Sequence, residues 1–456
     1  MAVKYISKVD IDSNQGIKIK DADCRTNLSL LTTNVGPLSN LQTNDKSSIV
    51  NAINEVLSTG NDSLEKIDNL MIINVRDLGA KGDDSTVDNG AFNNAIALIN
   101  NGSAKGLYIP AGTYKITGNL TPITTGCVIF GQGSNSVIHI TSGSGALFDL
   151  SGWTNGIMRN LKFDDDSARN PLIHVGTGNE ILFESLWVED SDCMFEFGAS
   201  SDTTVSAYNA TIKDVFGWVH SGFSLLYGSR SCVHFENCVI NSERTYSGSC
   251  AIYVDDKVGL DTLEVRNCLF QRFYYGIITN TPTGVTTSNY FIDGMIIDGY
   301  FKRGIQFNST GHVYRININN SWFASYDGTG TYEAILCNAT SAKGIAGVQV
   351  SNCEIPFCYY VAMTFVNCEG VGVVDCKIPM YSTAGISLTN TGAIKINDNS
   401  IGYDGTNSTP AVDPAIAFNS CHDIVVCGNY CSVATILSSL TNYKVTGNYN
   451  IADGVG

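Results

Sequence analysis

The side chains of this chain best suited to chemistry are carboxylates and tyrosines that belong to no compact signature. No GxSxG, HExxH, Walker or EF-hand pattern occurs, and the six histidines are scattered. What remains is acid–base work by paired carboxylates, as in hydrolysis of a glycosidic bond, which needs two of them flanking the bond about 5 to 9.5 Å apart. Glu243, Asp255, Asp327 and Glu333 are the catalytic candidates, with Asp256 beside them, because they fall in turn-rich stretches. Arg244 and Arg272 are substrate-binding candidates, and either of them or Lys257 would neutralise an acidic sugar or act as the base of an elimination. Tyr246, Tyr274, Tyr275, Tyr326 and Tyr332 join them, since a tyrosine stacks its ring on sugar C–H faces while its hydroxyl hydrogen-bonds. For each acid the alternative is a solvated surface charge. Asp164-Asp165-Asp166 reads as a cation site or, more simply, a solvated turn. No metal and no cofactor is expected.

The elements that must position these residues follow from composition. In 456 residues, 43% hydrophobic and 15% charged content allows a large core, and Gly 45 with abundant Asn, Ser, Thr, Val and Ile favours short strands and tight turns. The fold class is therefore all-β. A net charge of -16 without a basic run excludes nucleic acid as a partner. No apolar run approaches the ~20 residues of a membrane span, and MAVKYISKVDIDS lacks the apolar core of a secretory signal. A soluble chain made in a cytosol is expected. The 15 Cys sit in apolar segments and not at CxxC spacings, which makes them small buried residues, not a disulfide frame or zinc site.

Those cysteines also mark a repeat. VSNCEI (350 to 355) returns as VVDCKI and EVRNCLF, and the turn residues Asn160, Ser185, Asp214, Asn237, Asn267, Asp298, Asn320, Asn352, Asp375, Asp398, Gly428 and Gly447 align in steps of about 19 to 32 residues. Val348 and Val350 alternate with polar residues, then Cys353 and Ile355 resume the alternation after a phase shift at Asn352. The chain must bend there, and Asn, Asp and Gly tolerate the left-handed backbone of a sharp corner. Each repeat is one coil of a parallel β-helix, with Cys238, Cys268, Cys353 and Cys376 stacked inside. Long steps predict protruding loops at 241–249, 280–289 and 325–333.

Ahead of the repeats, Phe92, Ala95, Ile96 and Ile99 form the apolar face of a helix that Gly102 can end, a cap for the open first coil. NV.D.GAKGD, this helix, YIPAGTY and GQGSNSVI together resemble the opening segment of the pectate-lyase-like superfamily of right-handed β-helices, in the form found in bacteriophage tailspikes. The chain departs from the usual GDGxTDDT, reading GDDSTVDNG at 82–90, which touches local turn chemistry in the cap. The resemblance implies a homotrimeric phage tail appendage that recognises, and cleaves, a bacterial surface polysaccharide. A non-catalytic receptor-binding fibre of the same fold is the alternative. Residues 1–71 resemble the short adaptors that open tail-fibre proteins. LQTNDKSSIVNAINEVLS carries Ile49, Ile53, Val56 and Leu57 on a helical face that would attach to a virion tail or baseplate protein and trimerise. Residues 72–140 would start and cap the β-helix, and 141–456 would form its body.

The outward position next to each buried Cys reads Lys162, Trp187, Phe216, Val239, Leu269, Tyr300, Trp322, Glu354 and Lys377. So long an apolar stripe facing water is either a sugar platform or a subunit contact, and its continuity favours a trimer interface built on Trp187, Phe216, Tyr300 and Trp322.

Overall fold

The computed structural model describes residues 10–12, 16–18, 71–198, 209–227, 232–242, 248–255, 257, 259–326, 332–402, 414–431 and 436–448. The chain divides into two compact units, Met1–Met71 and Ile72–Gly456. In the first, Asp10–Asp12 pairs antiparallel with Gly16–Lys18; the expected adaptor helix over 41–58 lies outside the described residues.

In the second unit every described strand pairing is parallel, each coil stacking in register on the next. One interior column shows why. Phe183, Ile212, Phe235, Val265, Ile292, Ile318, Val350, Val373, Ile396 and Val426 are mutual partners from coil to coil and all are buried. At the ~4.8 Å spacing of adjacent strands, each side chain packs on the same position above and below. Full burial of such a residue contributes about 1.5 to 3 kcal/mol.

The corners are where the sequence places them. Asn160, Ser185, Asp214, Asn237, Asn267, Asn320, Asn352, Asp375, Asp398, Gly428 and Gly447 all have left-handed backbone, with φ from 49 to 72°. Corner side chains also bond between coils: Asn237 Nδ2 donates to Asp214 Oδ1 at 3.1 Å, and Asn320 Nδ2 to Asp293 Oδ1 at 2.9 Å. Cys238, Cys268, Cys353 and Cys376 follow these corners and are buried, their thiols directed at backbone carbonyls. In the last coils asparagine replaces cysteine. Asn399, Asn429 and Asn448 form a ladder in which each Oδ1 accepts the backbone N–H of the coil before it: Cys376, Asn399 and Asn429, at 2.9 to 3.0 Å.

One coil corrects the sequence reading. IDGMIIDGYF offers two Asp-Gly pairs, and the corner falls at Gly294 (φ 64°), not at Asp298. Gly is required there because a Cβ would lie 2.5 Å from Asn267 Oδ1. The inward pair is therefore Met295 and Ile297, and Ile296 takes the outward place, in register between Leu269 and Trp322. Tyr300 is 1% exposed and cannot belong to the surface stripe. The earlier corner also shortens the expected loop at 280–289. Tyr275–Thr281 and Thr286–Asp293 are strands joined by a turn in which Val285 N–H donates to Pro282 O.

The cap is an α-helix, α1 (Asn89–Asn100), that buries Ala91, Phe92, Ala95, Ile96 and Ile99. Phe92 meets Tyr114 of the first coil edge-on at 5.8 Å. Asp165 departs from the solvated-turn expectation: it is buried, and its carboxylate accepts from Ser167 N and Oγ and from Arg169 N. Among the described residues no helix is long and apolar enough to cross a membrane.

Candidate functional site

On one face of the solenoid, Cys250–Asp255, Tyr275–Thr281, Arg303–Ser309 and Ile335–Ala339 run side by side. The alternation that buries Val254, Phe307 and Cys337 turns their neighbours outward. Asp255, Asn280, Asn308 and Asn338 thus form one column in strict register. With Thr281, Pro282, Ser309, Thr310 and Thr340 they line a groove of about 180 Å³.

The floor beside this column is a continuous hydrogen-bond relay. Arg303 Nε donates to Glu333 Oε2 at 2.8 Å and its Nη1 to Gln306 Oε1 at 2.9 Å. Gln306 Nε2 donates to Asn308 Oδ1 at 2.8 Å, and Asn308 Nδ2 to Asn280 Oδ1 at 2.9 Å. Asn280 Nδ2 closes the run on the Tyr253 hydroxyl at 3.1 Å. Burial raises the Tyr253 pKa, and the charge of Asp255 adds to it. Tyr227 is pushed to about 12, mainly by burial and then by the carboxylate of Glu196, with Tyr253 and Asp255 contributing. A phenol therefore sits in the field of two carboxylates from different coils. Glu196 also meets His174 Nδ1 at 3.1 Å.

Aromatic rings and cations gather at the Arg303 end of this relay, apart from the residues that line the groove. Tyr274 stacks on Phe301 with centroids 5.3 Å apart, and Phe301 meets Tyr326 at 5.0 Å. Lys302 Nζ lies 5.5 Å from the ring centres of both Tyr275 and Tyr332, and Arg303 Cζ 5.7 Å from that of Tyr332. A hydrogen bond with Tyr275 holds the Lys302 pKa above its ordinary value against the opposing effect of burial. Hydroxyls, amides and a carboxylate along a shallow channel suit a long polyhydroxylated ligand held by many weak contacts.

Residues 72–373 match the family model described as rhamnogalacturonase A/epimerase, pectate lyase-like. The chain belongs to this family. No curated protein matches the chain by sequence. Among solved structures, this pectate-lyase-like chain is similar to tailspike protein 3 of bacteriophage CBA120, at 15% identity and TM-score 0.54, covering 96% of this chain and 71% of that one. It is also similar to the pre-mature gene product 12 of bacteriophage phi29, at 15% identity and TM-score 0.60, covering 86% and 58%. A tailspike double mutant of E. coli bacteriophage HK620 matches at 9% identity and TM-score 0.50, covering 84% and 76%. Likeness at such identity is likeness of fold.

The residues nominated from sequence in this pectate-lyase-like β-helix divide by location. Glu243, Arg244, Tyr246, Asp256 and Asp327 lie outside the described residues. Asp255 lines the groove, whereas Tyr275, Tyr332 and Glu333 gather around Lys302 and Arg303 at the other end of the relay, with Tyr274 and Tyr326 against Phe301. Arg272 is elsewhere: its guanidinium covers the Trp218 ring at 6.0 Å, on the face that carries the apolar stripe. The sequence reading misses Lys302, Arg303, Gln306, Asn280, Asn308 and Tyr253. The signal for the asparagines is in the chain, as TNT (279–281), FNST (307–310) and CNAT (337–340), a second repeat one strand away from the cysteine corner. Among the described residues no group of three or more His, Cys, Asp or Glu is arranged to hold a metal ion.

Proposed function

We propose that this chain is a bacteriophage tailspike that binds a bacterial surface polysaccharide along the Asp255–Asn338 groove and cleaves it. The observation that carries the reading is the register column itself: one carboxylate and three amides repeat at coil spacing along the groove. Sugar units of a chain aligned with the solenoid axis would meet equivalent donors and acceptors at successive coils. The fold likeness to phage tailspikes supports the virion setting, with residues 1–71 as the attachment segment and the outward stripe as the contact of a homotrimer. In cleavage Asp255 is the carboxylate at the bond, acting as general acid or base. The test is incubation with purified capsular and cell-wall glycans. Chain shortening by the wild type, lost in Asp255→Asn, supports the reading; shortening undiminished in that variant removes Asp255.

A binding-only fibre is the second reading, and one observation favours it. Glu333, a nominated acid, is paired with Arg303 at 2.8 Å and does not line the groove, which leaves Asp255 as the one described nominated carboxylate there, where hydrolysis needs two. Tight binding of a glycan without shortening would select the fibre.

A further inference from the structure

The first coils carry a clasp that lies far from the groove in sequence and shares no residue with it. Asp83–Val87 is an exposed strand that pairs with Gly112–Thr117 at Asp83 and Val87, with an irregularity between those two positions. The residues between them form a bulge. Asp83 shapes it by accepting from the backbone N–H groups of Ser85 and Thr86 at 3.1 and 2.8 Å, and Asp84 at its tip has left-handed backbone, φ 60°. From there the Asp84 carboxylate reaches past Gly112–Thr117 to the next coil and meets His139 Nδ1 at 2.5 Å. His139 Nε2 meets Asp166 Oδ2, one coil further on, at 3.0 Å. The two carboxylates are held differently. Asp166 belongs to a turn fixed from inside: buried Asp165 accepts from Ser167 N and Oγ and from Arg169 N, and the buried Arg169 guanidinium donates to Ser142 O at 2.8 Å and Gly145 O at 2.9 Å. Asp84 rides on the exposed bulge, which is anchored at its ends by Thr113 N–H on Gly82 O at 3.1 Å and Asp88 N–H on Lys115 O at 2.9 Å.

We propose that the bulge Asp83–Thr86 is a proton-operated flap, closed on His139 while the imidazole carries two protons and released from it when the imidazole carries one. An imidazolium donates to both carboxylates, whereas a neutral imidazole has one N–H and turns a lone pair on the other acid. The remaining proton stays with Asp166, whose turn is fixed, and Asp84 moves away with the bulge. Other charges around the ring set the pH range without choosing between the two acids. Lys115 and Asp164 are the register neighbours of His139 on either side, Asp83 lies in the bulge, and Lys162 and Glu189 near Asp164 are paired with each other at 2.6 Å. Burial lowers the His139 pKa, and the hydrogen bonds to Asp84 and Asp166 outweigh it and raise the pKa above its ordinary value. The clasp is complete below the unfolded value of about 6.5 and opens on the Asp84 side as pH rises through the folded one. Asp88 stays buried, its carboxylate accepting from Lys81 N and Gly82 N, so α1 remains in place. What the flap uncovers is the His139 side chain, 19% exposed beneath it, between Lys115 and Asp164, close to Lys162 at the foot of the outward stripe.

The test is amide hydrogen exchange of the full chain, read by mass spectrometry at about pH 6 and about pH 8, each rate being divided by the intrinsic rate at that pH. In the wild type, protection over 83–88 should fall about threefold or more between the two conditions. Protection over α1 (89–100) and over the core strand 312–319 should stay unchanged. His139→Gln should abolish the pH dependence. Asp166→Asn should abolish it with the flap closed at both pH values, because the one imidazole proton then has a single carboxylate to serve. Asp166 is 58% exposed, so this variant keeps the fold, and 312–319 reports that it does. Unchanged protection over 83–88 in the wild type overturns the proposal. So does a loss shared by 89–100, which would make the whole cap the moving part, and so does a wild-type response in Asp166→Asn.

Discussion

Glu333 is 7% exposed, accepts from Arg303 Nε on its Oε2 at 2.8 Å and does not line the groove. Glu333→Gln should therefore act through the fold. It leaves a half-buried guanidinium short of its partner and should lower stability by about 1 to 3 kcal/mol, measured by denaturant unfolding. Asp255 faces the groove at the end of its strand, so Asp255→Asn should leave stability within about 1 kcal/mol and reduce glycan cleavage about a hundredfold or more with binding kept. A large stability loss in Asp255→Asn would mark it as structural. A third acid–base group works at the other end of the chain. His139 Nδ1 meets Asp84 at 2.5 Å and Nε2 meets Asp166 at 3.0 Å, joining the turn before α1 to two successive coils. A neutral imidazole has one N–H and cannot donate to both carboxylates. Burial lowers the pKa of His139, but the hydrogen bonds to Asp84 and Asp166 outweigh it and raise the pKa above its ordinary value. A raised folded-state pKa gives stability that is fully present below the unfolded value, about 6.5, and lost as pH rises through the folded one. The melting temperature of the wild type should fall relative to His139→Gln as pH climbs from about 6 to 8; parallel curves would exclude the link.

At the scale of the element, corners are legible because their chemistry is narrow. Few residues accept a left-handed backbone, so Asn, Asp and Gly preceding a Cys or Ile at a regular step announce the bend, and Asn160 through Gly447 show it. The reading fails where that chemistry occurs twice within one coil: Asp293-Gly294 and Asp298-Gly299 are locally equivalent, and Gly294 and Gly299 both have positive φ. Only the register with Leu269 and Trp322 decides between them, and register is a non-local property. The groove is harder still. Its relay joins Arg303, Gln306, Asn308 and Asn280, polar residues ordinary for a strand edge, and only stacking of coils makes them one surface. The asparagine ladder can be tested directly. Asn429 Nδ2 donates to Ile396 O at 2.8 Å while Oδ1 accepts from Asn399 N at 3.0 Å, so Asn429→Ala leaves buried backbone groups unpaired. It should cost about 2 to 4 kcal/mol. Cys376→Ala, in the same column but losing mainly a small apolar group, should cost about 1 to 2 kcal/mol. Equal losses in chemical denaturation would mean that the ladder adds only packing.

At the scale of the whole molecule, six apolar residues of successive coils share one outward column. Trp187, Phe216, Val239, Leu269, Ile296 and Trp322 stand in unbroken register from coil to coil, an apolar stripe about 24 Å long at strand spacing. Trp187 is 39% and Ile296 41% exposed, and Trp187 and Phe216 pack ring to ring at 6.2 Å. Charged residues end the stripe on both sides: Lys162, paired with Glu189, below, and Glu354 beside Lys377 above. An apolar band with polar ends is the profile of a subunit contact, which is why the proposed trimer is placed here. Ile296 is the sharpest probe, since its place in the stripe depends on the Gly294 corner. In an isolated chain Ile296→Asp sets a carboxylate in water at small cost. In the trimer it buries three unpaired charges and should cost several kcal/mol in assembly. Light scattering should then report a monomer whose far-UV circular dichroism matches the wild type. Tyr300→Asp, which puts the charge inside the coil, should unfold the chain instead of dissociating it. A stable trimer of Ile296→Asp would exclude the stripe as the interface, and a folded Tyr300→Asp would return the corner to Asp298.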